Sequence, residues 1–133
     1  MPYKILISHG SFFEDDYMRG VSFSDGNVAP THFIIFSKSK LEDEQDKGLG
    51  MDKVHIQIGD QSRATYGGVE KVETLEESVQ VYIDSVGSKK LEVDGLISLV
   101  FTEVTEEIKN AVDALTSMMR SDNITIFRIP PSV

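Results

Sequence analysis

The sequence predicts an α+β fold, a mostly antiparallel β-sheet of about six to eight strands with one amphipathic helix, at about residues 105–120, on one face. Three observations carry this. Apolar residues alternate in short runs, as at Val54, Ile56 and Ile58 and at Val79, Val81 and Ile83, which puts branched side chains on one face of a strand. Turn residues separate those runs. One segment near the C-terminus switches to a helical period: Val104, Ile108, Ala111, Val112, Leu115 and Met119 fall on one stripe, away from Glu106, Glu107, Lys109 and Asp113.

In chain order, Tyr3, Ile5 and Ile7 open a strand that is apolar on most of both sides, which suits a central position. His9-Gly10-Ser11 breaks the pattern, and Phe12 to Met18 has no period, so this segment reads as a loop or one helical turn. Val21 and Phe23 mark a short strand that ends at Ser24-Asp25-Gly26-Asn27. Pro30 delays the next strand, and Phe33 to Phe36, apolar at both parities, belongs inside the sheet. Lys38 to Met51 is charged and then glycine-punctuated, and should cross the surface with Leu41, Leu49 and Met51 as inward anchors.

The stretch from Glu44 to Ser85 reads as a three-stranded meander. Val69 and Val72 stand three apart, so a bulge near Gly67-Gly68 or a late strand start is needed to keep both facing the core. Leu91 and Val93 alternate ahead of Asp94-Gly95 and the run Leu96 to Phe101, which reads as a hairpin. The helix follows, with Thr105 as N-cap, Glu106 and Glu107 at its positive end and Arg120 at its negative end. Ile124 to Ile129 forms a last strand before Pro130-Pro131.

A chain of 133 residues is one domain by size, and it has no cysteine for a disulfide framework or thiolate metal site, which fits a reducing compartment. Its N-terminus carries only the apolar run Ile5-Leu6-Ile7, too short for a secretory core or a membrane span, so a cytoplasmic location is expected. The net charge of −9, from 22 acidic and 13 basic residues, argues against nucleic acid as a ligand. That charge either serves solubility or steers a basic partner.

Catalytic signatures are weak. His9, His32 and His55 lie 23 residues apart with no metal-ligand spacing, though two of them would meet if their strands paired. His9-Gly10-Ser11 lacks the Gly-x-Ser-x-Gly setting of a nucleophile elbow, and Gly48-Leu49-Gly50 is not a phosphate loop. The acidic clusters Glu14-Asp15-Asp16 and Glu42-Asp43-Glu44 with Asp46 lack the ligand pattern of an EF-hand. No catalytic residue, metal or cofactor is expected.

The run Glu44 to Met51, EQDKGLGM, followed by a short strand and Tyr66-Gly67-Gly68-Val69, resembles the immunity protein 10 family of bacterial polymorphic toxin systems. The resemblance covers roughly Phe33 to Leu115; the first thirty residues and the last twelve match less well. It implies a cytosolic, non-enzymatic antidote that binds a partner toxin, and it carries no assigned contact residue across; the acidic charge would suit a basic toxin such as a nuclease. On that reading Glu14, Asp15, Asp16, Glu42, Asp43, Glu44 and Asp46 form a carboxylate surface competing with phosphate in the toxin's groove, and Tyr66 is an aromatic anchor. A different reading is a small β-rich assembly module that pairs through an edge strand, as a homodimer or within another complex.

Overall fold

The computed structural model describes residues 3–26, 31–40, 53–59 and 63–130. Among these residues the fold is α+β, with ten strands in two five-stranded sheets and two helices. The first sheet holds β1 (Tyr3–Ile7), β7 (Val69–Thr74), β8 (Ser78–Ile83), β9 (Leu96–Phe101) and β10 (Thr125–Arg128), in the spatial order β1-β9-β8-β7-β10. The second runs in chain order through β2 (His9–Glu14), β3 (Met18–Ser24), β4 (Phe33–Ser39), β5 (His55–Ile58) and β6 (Ala64–Tyr66). Pairing is antiparallel except where β1 meets β9 and β10 meets β7. The expected single sheet of six to eight strands is therefore two sheets, because alternation marks a strand but not its partner.

Their inner faces share one core. Phe23 of β3 meets Phe36 of β4 edge-on at 6.4 Å between ring centres and Phe101 of β9, in the other sheet, at 6.0 Å. The long helix α2 (Glu106–Ser121) packs on β2 and β3 and also meets β10. Its buried stripe is the expected one, with Ile108, Ala111, Leu115 and Met119 inside, and Thr105 caps it by accepting from the Ile108 N–H at 3.2 Å. Val104 precedes the cap and is partly exposed. Gly10 admits the helix: a Cβ there would lie 3.2 Å from the Cβ of Ala111 and 3.5 Å from the Cα of Ile108.

Several expectations need correction. β1 is an edge strand with one apolar face: Ile5 and Ile7 are buried and Tyr3 packs against the core, while Leu6 is 54% exposed. The segment from His9 to Glu14 is strand β2 rather than a loop; past Gly10 both its parities are exposed, which erased the alternation. The proposed meander is four strands split between sheets. β5 and β6 stay in the second sheet, and the chain crosses at Gly67-Gly68, where φ values of 74° and 89° suit glycine, into β7 and β8. The expected bulge is present between Val69 and Lys71, and it keeps Val72 in the core.

The predicted Asp94-Gly95 hairpin is replaced by a second helix, α1 (Ser85–Leu91), in the connection between β8 and β9. Asp84 caps it by accepting from the Gly87 N–H at 2.7 Å, Lys89 and Lys90 sit at its negative end, and Glu92 closes it in a left-handed conformation (φ 59°). Leu91 reaches the core from its last turn.

Lys38 was expected to begin a surface crossing, but it lies within β4 and is buried. Its ammonium donates to the Asp122 carboxylate and, at 2.9 Å, to the Ser121 hydroxyl at the end of α2. The other Asp122 oxygen accepts from the Val54 N–H at 2.7 Å. This ion pair ties the end of the helix to β4 and to the entry of β5. The anchors Leu41, Leu49 and Met51 lie outside the described residues.

Candidate functional site

Successive residues of a strand point to opposite sides, so register decides what each face of the second sheet presents. On its outer face one row crosses all five strands: Phe13, Gly20, Ser37, His55 and Tyr66 are consecutive cross-strand partners. The middle of the row is small and its ends are aromatic. The Phe13 ring lies over Gly20, where a Cβ would fall 2.1 Å from the ring's Cζ, so an aromatic covers the bare backbone of its neighbour. At the other end the Tyr66 ring stacks on His55, with centres 4.6 Å apart and planes 52° apart. Two hollows open on this face. One, of about 460 Å³, is bordered by Met18, Ser39, Lys53, His55, Gln57 and Tyr66. The other, of about 320 Å³, is bordered by Ser11, Ser22, Ser24, Phe33 and Ile35.

The β2–β3 hairpin carries the first acidic cluster at its tip. Asp15 forms the turn itself: one carboxylate oxygen accepts from the N–H groups of Tyr17 (2.8 Å) and Met18 (2.9 Å). Those two bonds hold the Asp15 carboxyl below its ordinary pKa. Glu14 lies 3.4 Å from the Lys40 ammonium, and Asp16 is exposed. Around them Phe12 (55%), Phe13 (41%), Tyr17 (68%) and Met18 (37%) are exposed. Sequence reasoning overlooked these four; the signal was three aromatics flanking a turn-forming carboxylate in a segment with no period.

Of the expected partner-binding residues, Glu14, Asp15 and Asp16 sit together at the hairpin tip, while Tyr66, 44% exposed, stands at the opposite edge of the same sheet. Glu42, Asp43, Glu44 and Asp46 lie outside the described residues. The histidines do not converge. His55 pairs with Ser37 near one end of β4, whereas His32 precedes the other end and bonds Asp25 at 3.0 Å, holding that carboxyl below its ordinary pKa. His9 bonds the adjacent Ser8 hydroxyl at 2.8 Å. Burial lowers the pKa of His55, keeping its ring neutral near pH 7. Among the described residues no three His, Asp or Glu side chains are grouped to hold a metal ion. Nor is any helix long and apolar enough to cross a membrane.

The molecule is thus a two-sheet α+β scaffold whose second sheet carries exposed aromatic rings at the two ends of its outer row. The model of the immunity protein 10 family matches residues 7–109, and the chain belongs to that family. The match begins well before Phe33, so β2, β3 and their hairpin fall within the family region. A comparison with curated proteins finds no match.

Proposed function

We propose that this chain is a non-enzymatic immunity protein of the cytoplasm, which binds a protein toxin made by its own cell and silences it by covering the toxin's working surface. The observation that carries the reading is family membership over residues 7–109. The acidic balance adds to it: a net charge of −9 raises the encounter rate with a basic partner, such as a nuclease built to hold phosphate. Glu14, Asp15, Asp16, Glu42, Asp43, Glu44 and Asp46 would supply that field, and Tyr66 an anchor. Inhibition needs no bond-making residue and no cofactor, only a complex that outlasts the toxin's encounters with its substrate.

The test is coexpression with the toxin encoded beside this chain's gene. Protection of the host and a joint peak on gel filtration are expected; continued killing with no complex would overturn the proposal. A second reading, an assembly module pairing through a sheet edge, is favoured by the terminal position of β1 and β10 and the exposure of Leu6 (54%) and Phe127 (45%). A stable homodimer lacking any toxin partner would select it.

A further inference from the structure

We infer that the toxin docks on the outer face of the second sheet, from the β2–β3 hairpin tip to Tyr66, and that this face fits a basic protein patch with an apolar centre. The inference rests on the immunity reading and adds the surface and its division of labour.

Exposed aromatic rings point to this face. Among the described residues Phe12, Phe13, Tyr17, Tyr66 and Phe127 are the exposed aromatics; Phe13 and Tyr66 stand in the outer row of the second sheet and Tyr17 in its hairpin turn, while Phe12, the partner of Val21, is on the other side of β2. Large exposed rings cost little entropy to fix and are the usual anchors of protein interfaces. The row from Phe13 to Tyr66 spans five strands, roughly 19 Å at the usual strand spacing, with Gly20 and Ser37 as a low floor between aromatic walls. A convex partner element seated there would touch both walls and displace water from the hollow beside His55 and Tyr66.

The outer face of the first sheet is already occupied by its own contacts. The Lys71 ammonium lies 4.4 Å from the centre of the Tyr82 ring and 5.8 Å from that of Phe127, and the Tyr82 hydroxyl donates to Glu73 at 2.8 Å. Tyr82 and Phe127 are engaged with Lys71, as Tyr66 is with His55, and Tyr17, 68% exposed in the hairpin turn, is the most exposed of the described aromatic rings.

Charge selects the kind of partner. Asp16 is exposed beside Tyr17 on a chain of net charge −9, while Glu14 is already paired with Lys40. A basic patch is drawn to that tip and an acidic one is repelled. The rings then govern dissociation and the carboxylates association.

The experiment is surface plasmon resonance against the catalytically inactivated toxin encoded beside this gene. Tyr17→Ala and Tyr66→Ala should each raise Kd by about 30-fold or more, mainly through faster dissociation. Asp16→Asn should slow association at low salt and leave dissociation unchanged, and Phe127→Ala should leave Kd within about twofold. Phe13 is left in place because its ring covers Gly20; unchanged circular dichroism and melting of each variant separate contact from folding. Wild-type binding that both tyrosine variants retain, or that Phe127→Ala abolishes, overturns the assignment of this face but not immunity. Absence of a wild-type complex overturns both.

Discussion

Replacing Asp122 with alanine tests how the end of α2 is fastened. The Asp122 carboxylate takes the Lys38 ammonium on one oxygen and the Val54 N–H on the other, in a site where the two side chains are only 8% and 5% exposed. Removing one partner of a buried ion pair costs about 3–5 kcal/mol, because the remaining charge stays desolvated. An unpaired Val54 N–H adds about 1–3 kcal/mol where water does not reach it. Lys38→Met removes the ion pair and the bond to the Ser121 hydroxyl, which still donates to the Met118 carbonyl, and leaves Asp122 its bond to Val54, so the order of destabilisation should be Asp122→Ala above Lys38→Met. The Lys38→Met/Asp122→Ala double variant should cost less than the two single changes combined, since no charge is left stranded. At roughly 4 °C per kcal/mol for a domain of this size, Asp122→Ala should lower Tm by about 15–30 °C. Urea unfolding followed by circular dichroism supplies the free energies. Single costs below about 1 kcal/mol, as for an exposed pair, or strictly additive costs, would refute the buried pair as a fastening.

Three further outcomes follow from the same structure. His55 should titrate below 6.5 in the folded protein; the unfolded chain then takes up the proton first, so the stability contributed by the neutral ring is complete above pH 6.5 and lost as pH falls. An NMR titration midpoint above 6.5 would reverse that sign. Gly68→Ala, at φ 89° and with a new Cβ 3.4 Å from the Gly87 Cα, should cost about 1–2 kcal/mol or more in urea unfolding, and a neutral result would mean the crossing between sheets is not strained. Thr105→Ala should cost about 1 kcal/mol, and Thr105→Ser should restore most of it if the hydroxyl cap is the cause.

What was legible in the sequence was local. The helical stripe from Ile108 to Met119 and its Thr105 cap are short-range patterns, and both stand in α2 as read. Phe33 to Phe36, apolar at both parities, is in β4, the middle strand of the second sheet. What failed depends on distant partners. The alternation of β5 and that of β8 look alike, yet the glycine pair at residues 67–68 sends them to different sheets. α1 has seven residues with Gly87 inside, and Leu91 with Val93 mimicked a strand because a single buried leucine sets no period. The candidate site was half visible. Tyr66 is 44% exposed, and Glu14 to Asp16 lie at the tip of the β2–β3 hairpin. The aromatics beside them were hidden because β2 continues past Gly10 with both faces exposed, so it has no buried parity to read.

Titrating the toxin's catalytic activity with this chain tests the antidote claim most directly. Neutralisation by covering predicts that turnover falls linearly and vanishes near one equivalent, with full recovery once the complex is dissociated. Turnover that persists at saturating excess of the chain would contradict it.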